Sequence, residues 1–227
     1  MKKLATSLLL LGAATAAHAQ TSAGTVLLGG NVGYNSSKDE RSSGSFNFEE
    51  TRKEFRFLPT VGYFVVDNLA VGLTGGIQTS KLVQPYQDYN QGLNSQVYDR
   101  NLTSSYVNVG PFVRYYKMIS EKAGFYGQLS GGFLSGRSET ESDAPFFEND
   151  NIKLRGTYAT LTPGFVFFPA PKLGLELTLG NLGYSNLKNT YSATRQGQEY
   201  EVQSSSFGTS LGLQYLNVGA SFYLGGK

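Results

Sequence analysis

Hydrophobic and polar residues alternate with a period of two along most of the chain beyond residue 25. One pattern (proline, any residue, an apolar residue, any residue, two aromatics) begins at Pro59, Pro111 and Pro163, each 52 residues after the last. A fourth copy begins at Val218, with valine in place of proline. Alternation of this kind predicts β-strands with one apolar face, so the repeat predicts four strands of one sheet.

Four further alternating runs complete a predicted set of eight strands. They begin near Val26, Leu69, Phe125 and Leu173. Three connections are short, and the other four are long and polar, at about residues 36–50, 80–102, 136–153 and 186–205. Short turns at one end and long loops at the other are typical of outer-membrane barrels, although soluble sandwiches and lipocalin-like barrels also alternate. We predict an all-β fold, an eight-stranded antiparallel up-and-down transmembrane β-barrel with short periplasmic turns and long extracellular loops.

The two faces of the predicted strands favour the membrane barrel over the soluble one. Bulky apolar residues such as Val61, Val113 and Phe165 share one face, whereas glycines and polar residues share the other. The interior of a small barrel is crowded, and a surface in contact with lipid must be apolar. The polar face is therefore predicted to line the bore. Its candidate lumen cluster consists of Glu54, Arg56, Arg114, Gln128 and Glu176.

This lumen cluster has two interpretations. Charges inside the bore must be paired, because an isolated buried charge is very costly. A structural salt-bridge plug is the simpler interpretation, and a polar relay or gate is the functional one. An eight-stranded barrel is just wide enough to be filled by its own side chains, which argues against a constitutive channel.

Aromatic residues concentrate beside the short connections and the C-terminus. Aromatic rings are favoured at membrane interfaces, so these residues are predicted to form a ring at one interface. They are Tyr63, Phe64, Tyr115, Tyr116, Phe125, Phe167, Phe168, Phe222 and Tyr223. The repeat prolines lack a backbone donor, so each is expected at a bulge or at an unpaired position.

The N-terminus has the three parts of an export signal. Lys2 and Lys3 precede a short apolar run, and Ala17-His18-Ala19 has the small-residue pattern of a cleavage site. We therefore expect Sec-type export, a signal peptide at residues 1–19, cleavage after Ala19 and a barrel domain at residues 20–227.

Loss of the signal changes the chemistry that is available. Of 19 basic residues, two leave with the signal, so 17 basic residues face 17 acidic ones. This balance gives no reason to expect nucleic-acid binding. The single histidine, His18, also leaves, and the chain has no cysteine. Histidine and cysteine catalysis and nearly all zinc sites are thereby excluded. An outer-membrane enzyme would have to use carboxylates alone, and no pair of carboxylates stands out. We therefore expect no enzyme activity, cofactor or metal.

Three segments resemble the outer-membrane β-barrel domain family, which includes the membrane domain of outer membrane protein A. They are Gly-Pro-Phe-Val-Arg-Tyr-Tyr at 110–116, Gly-Tyr-Phe-Val-Val-Asp-Asn-Leu-Ala-Val-Gly at 62–72, and Leu-Asn-Val-Gly-Ala-Ser-Phe-Tyr at 216–223. The resemblance covers residues 22–224 and implies that a charged lumen cluster is structural. Two features depart from the family: Leu224-Gly225-Gly226-Lys227 follows the closing aromatics, and no peptidoglycan-binding domain is present.

The sequence therefore favours a non-enzymatic protein of the bacterial outer membrane with a role in envelope integrity or in surface interaction through its loops. The alternative is a narrow pore or conduit for small solutes or small apolar molecules. Expected partners are outer-membrane lipid, the barrel-assembly machinery and surface molecules that bind the loops.

Overall fold

The computed structural model describes residues 20–43, 46–88, 96–142, 150–193, 199–212 and 215–226. Within these ranges it contains ten strands: β1 (Val26–Ser43), β2 (Phe46–Val66), β3 (Leu69–Asp88), β4 (Gln96–Ser120), β5 (Ala123–Ser142), β6 (Asp150–Ala170), β7 (Leu173–Thr178), β8 (Gly180–Ala193), β9 (Glu199–Leu211) and β10 (Asn217–Leu224). No helix in the described part of the chain is both long enough and apolar enough to span a bilayer.

Eight of these strands close into a ring. Antiparallel pairing joins β1 to β7 in sequence order, and β10 then connects β7 back to β1. Beyond residue 179, β8 continues the path of β7 along β6, and β9 pairs with β8 before the chain enters β10. The predicted eight-stranded antiparallel barrel is confirmed, and its last two strands are each divided into two segments.

The strands are much longer than a membrane requires. β4 has 25 residues and β2 has 21, whereas about 9–11 residues of a tilted strand cross a bilayer. Pairing reaches Ser43 with Phe46, Asp88 with Gln96, and Thr140 with Asp150. The predicted long polar loops are therefore mostly paired hairpins, because polarity indicates exposure to water and an extended hairpin is as exposed as a loop. The hairpin tips lie outside the described residues.

Apolar side chains cover the outside of the barrel. Val61 and Val113 are 53% and 45% exposed, and they point away from the bore on β2 and β4, the two strands that flank β3. The buried core lies inside the ring at the end with the short turns. It consists of Leu27, Phe64, Ala70, Phe112, Tyr116, Tyr126, Val166, Phe168 and Tyr223. The predicted inversion, with apolar residues outside and polar residues inside, agrees with this burial pattern.

Each repeat proline lies at a gap in one of its two strand pairings. Between β2 and β3, pairing stops after Phe57 and resumes at Thr60, on either side of Pro59. The same gap flanks Pro111 between β4 and β5. Pro163 lies where the partner of β6 changes from β8 to β7. Because proline has no N–H to donate, a one-sided gap accommodates it without leaving the wall.

At Val218, in the fourth copy of the repeat, the pairing between β10 and β1 also stops, and here it does not resume. β10 pairs with β1 only from Ala220–Gly30 to Leu224–Val26. Gly180, at the start of β8, and Gly212, directly after β9, have φ angles of +109° and +148°, which favour glycine. The described part of β9 pairs with β8 alone, so β1 has no strand partner on this side beyond Gly30. We call this interruption of the wall the seam.

Candidate functional site

An ion pair crosses the bore between β4 and β7. Arg114 donates from Nη1 to Glu176 Oε1 at 2.9 Å. Both residues are nearly inaccessible to solvent, with 5% and 8% exposure. Their side chains face inward because they alternate with outward apolar neighbours on each strand. We call these two residues and the polar groups that bond to them the bore cluster.

Glu176 accepts hydrogen bonds from three sides of the barrel. Ser221 on β10 donates to Oε1 at 2.6 Å, and Tyr223 on the same strand donates at 3.3 Å. Tyr126 on β5 donates to Oε2 at 3.1 Å. With the bond from Arg114, both carboxylate oxygens are satisfied. Such satisfaction is required of a buried carboxylate, which otherwise carries a large desolvation penalty.

Arg114 is also satisfied on several sides. Its Nε donates to Gln128 Oε1 at 2.7 Å, and its Nη1 donates to Tyr116 OH at 2.9 Å. The guanidinium carbon lies 4.4 Å from the ring centroid of Tyr126, close enough for a cation–π interaction. Gln128 in turn donates to Ser130 at 2.8 Å. These groups form one connected polar network across the bore.

An aromatic layer closes the bore on the short-turn side of this cluster. Its rings are Phe64, Tyr116, Phe168 and Tyr223, one from each copy of the repeat, and none is more than 1% exposed. Tyr116 and Tyr223 also share a hydrogen bond of 3.0 Å between their hydroxyls. The prediction that these four residues belong to a membrane-interface ring is therefore wrong. Successive side chains of a strand point to opposite faces, so only one member of each aromatic pair faces outward.

The other predicted interface aromatics lie on the outer surface. Tyr63, Tyr115, Phe125, Phe167 and Phe222 are between 42% and 58% exposed. They lie on β2, β4, β5, β6 and β10 beside the short turns and the end of the last strand, and their place at a membrane interface stays a prediction.

The N-terminal residues pack beneath the aromatic layer. Thr21 Oγ1 donates to Asn68 Oδ1 at 2.6 Å, and the Asn68 N–H donates to the Thr21 carbonyl at 2.8 Å. Phe64 N–H donates to the Thr25 carbonyl at 2.9 Å. Thr21 and Thr25 are fully buried. These contacts cover the short-turn end of the bore with backbone as well as side chains.

Glu54 and Arg56 lie farther along the bore, away from the bore cluster. Arg56 Nη1 is 3.5 Å from Asn217 Oδ1, and Glu54 lies 4.0 Å from Arg52. The five predicted lumen residues therefore divide into two groups: Arg114, Gln128 and Glu176 form one network, and Glu54 and Arg56 lie beside the seam. The sequence placed Ser221 on the polar face but not in the lumen cluster. It missed the three tyrosine hydroxyls, although alternation along their strands places them on the inner face.

Two cavities connect the bore to the seam. One of about 240 Å³ lies above the bore cluster and is lined by Thr60, Thr74, Arg114 and Glu176, among others. The other, of about 390 Å³, lies at the seam itself, between Asn31–Asn35 and Leu216–Val218. Arg56, Asn31 and Asn217 line both. Polar inward residues and apolar outward residues meet in the seam cavity, as is expected where a wall is interrupted.

Among the described residues, no three histidine, cysteine or carboxylate side chains are grouped as a metal ion would require. Comparison with known proteins gives structural neighbours only, since no family model and no curated protein matches the sequence. The outer membrane protein OprG from Pseudomonas aeruginosa superposes with a TM-score of 0.50 and 13% identity, over 91% of this chain and 99% of that one.

The chain has the fold of the outer-membrane β-barrels. Ail, the attachment invasion locus protein of Yersinia pestis, is also similar, with 16% identity over 89% of this chain and 99% of that one and a TM-score of 0.29. Its complex with the heparin analogue sucrose octasulfate matches with a TM-score of 0.34, at 13% identity over the same shares of each chain. At these identities the likeness is one of fold.

Proposed function

We propose that this barrel is a non-enzymatic protein of the bacterial outer membrane, closed to solutes, that displays long polar hairpins for envelope integrity and surface interaction. The observation that carries the proposal is the double closure of the bore, in which the bore cluster lies directly above the aromatic layer. A barrel filled in this way offers no continuous water path through its short-turn end. Once the expected signal with His18 is removed, the chain has neither histidine nor cysteine. It then lacks the usual catalytic groups, which supports the non-enzymatic assignment.

The hairpin formed by β8 and β9 provides the test of surface function. Asn186 pairs directly with Ser205, so residues 187–204 can be replaced by an Asn-Gly turn without changing the register of the remaining pairs. In a strain that lacks the gene, we expect the full-length chain to restore resistance to bile-salt detergent. The trimmed chain is expected to reach the membrane, to shift in mobility on boiling and yet to fail in restoration.

The control for this experiment establishes on which side of the membrane the hairpins and the short turns lie. The chain has no cysteine, so single substitutions give clean labelling sites. Gln203→Cys is expected to react with an impermeant maleimide on intact cells, and Lys122→Cys in a short turn only after permeabilisation. Full restoration by the trimmed chain would refute the role of the hairpin, and labelling of both sites on intact cells would refute the orientation.

A conduit for small apolar molecules is the second candidate, because the seam cavity joins the bore to the outer surface. Continuing the β1–β10 register places Val32 opposite Val218, and both line this cavity. A disulfide between V32C and V218C, which requires Cα atoms within about 7 Å, would lock the seam shut. If the conduit exists, oxidation is expected to abolish uptake of a labelled medium-chain alcohol by cells that produce the protein.

The matched control joins strands that are already paired. Val32 lies directly opposite Phe57 on β2, so a V32C/F57C disulfide leaves the seam open and uptake unchanged. Uptake that is insensitive to the V32C/V218C disulfide would remove the seam as a route.

A further inference from the structure

Four basic side chains lie close together on the outer surface, just beyond the outward-facing apolar residues. Arg137 on β5, Lys153 and Arg155 on β6, and Lys188 on β8 are all exposed. They alternate with inward residues and follow outward apolar side chains, such as Phe133 on β5 and Tyr184 on β8. We call these four residues the cationic patch.

The register of the strands places these charges against one another. Arg137 is directly opposite Lys153, and Arg155 is directly opposite Lys188. Like charges that face each other across an antiparallel pair destabilise the sheet. The arrangement recurs at the same level elsewhere on the wall, where Lys53 faces Lys81 just beyond Phe55. Repeated juxtaposition of cations implies an anion that offsets the repulsion.

The chain itself supplies only part of that negative charge. Arg137 pairs with Glu139 at 3.2 Å, and Lys188 pairs with Glu201 at 2.8 Å. Lys153 and Arg155 have no ion pair with any side chain that the structure describes.

A pair of acidic residues that face each other across two strands has a lysine between them, unlike the opposed cations. Glu40 and Glu49 also face each other, but Lys38 lies 3.0 Å from both carboxylates, and its hydrogen bonds to them raise the pKa of that lysine. The chain therefore neutralises this like-charge pair from within, whereas no side chain that the structure describes forms an ion pair with Lys153 or Arg155.

An apolar groove leads from the patch down the outer wall. It has a volume of about 550 Å³ and is lined by Val107, Val109, Phe133 and Arg155, among others. We propose that the cationic patch binds the phosphate headgroup of an outer-leaflet lipid, with one acyl chain lying in this groove. The chemistry of the site matches such a lipid at both ends: cations without an ion pair among the described residues meet the phosphate, and apolar walls meet the chain. The inference rests on the proposed membrane placement and deepens the envelope role.

Tryptophan quenching tests the site in isolation from cell physiology. The chain has no tryptophan, so Phe133→Trp introduces a single reporter in the groove. Phe125→Trp, on the same strand near the short turns, is the matched control. In phosphatidylcholine bilayers, brominated phosphatidic acid is expected to quench the F133W reporter more than brominated phosphatidylcholine does. The F125W reporter is expected to be quenched equally by both lipids.

Substituting Lys153 and Arg155 measures how much these two cations contribute to the preference for phosphatidic acid. Each basic residue near a lipid phosphate contributes about 1 kcal/mol, so K153Q/R155Q is expected to lower the preference for phosphatidic acid by roughly 25-fold. K117Q/K122Q, which removes two cations at the opposite rim, is expected to change nothing. A mobility shift on boiling confirms that each variant is folded.

Several outcomes would overturn the proposal. These are equal quenching of the F133W reporter by both lipids, an unchanged preference in K153Q/R155Q, or an equal loss in K117Q/K122Q. Abolition of the preference by millimolar inorganic phosphate would assign the patch to a free ion. The trimmed hairpin lacks Lys188 but keeps Lys153 and Arg155, whereas K153Q/R155Q keeps the whole hairpin. Failure of the lipid test in K153Q/R155Q therefore leaves the result of the hairpin experiment to be judged on its own.

Discussion

Arg114→Met is expected to destabilise the barrel by about 3–5 kcal/mol, because it leaves the Glu176 carboxylate buried without its cation. Three hydroxyl donors remain on that carboxylate, but they do not supply a full positive charge. Denaturant unfolding in detergent micelles, followed by the mobility shift on boiling, measures the loss.

The double variant Arg114→Met/Glu176→Gln distinguishes the unpaired charge from lost packing. Replacing both charges with neutral groups of similar volume removes the uncompensated charge, so most of the stability is expected to return. A double variant as unstable as Arg114→Met would contradict this account.

An exposed ion pair provides the matched comparison. Lys188 and Glu201 are 54% and 55% exposed at their side chains and lie 2.8 Å apart. Solvent screening limits such pairs to about 0–1 kcal/mol, so Lys188→Met is expected to have little effect on unfolding. The contrast depends on burial, since the two ion pairs have almost the same length.

The sequence was sufficient to predict the strands of the barrel and the face of each residue, because the alternation of side chains along a strand is a local property. Alternation and the 52-residue repeat specify which residues face inward, and they require no knowledge of how the strands meet. Arg114 and Glu176 were placed in the bore for this reason. Their direct contact is a different matter, since 62 residues separate them along the chain. The contact depends on the stagger of the closed ring, which local alternation does not determine.

The seam lay beyond prediction for a related reason. Val218 replaces the repeat proline, and the sequence alone suggested a fourth strand like the other three. In the structure the ladders beside Pro59 and Pro111 resume after their gaps, but the ladder between β10 and β1 does not. The described part of β9 pairs with β8 and not with β1, so no described strand continues the ladder of β1 on this side beyond Gly30.

The aromatic assignment failed although the local rule was sufficient to avoid the error. Each repeat ends in two adjacent aromatics, and adjacent residues of a strand cannot both face lipid. Grouping them by their position near the turns gave a ring of nine, whereas alternation divides that ring into an outer belt and an inner plug. The inner members then account for the closed bore.

Phe167 belongs to the outer belt and Phe168 to the inner plug. Because both are phenylalanines at neighbouring positions, they allow the two roles to be compared directly. Phe168 is 1% exposed, and its ring centroid lies 4.9 Å from that of Tyr223. Phe168→Ala is expected to cost about 3–5 kcal/mol, because it opens a cavity in the aromatic layer. Phe167 is 42% exposed on the outer surface, so Phe167→Ala is expected to cost about 1 kcal/mol or less. Denaturant unfolding in detergent compares the two, and equal losses would show that the inner layer does not stabilise the barrel as its burial implies.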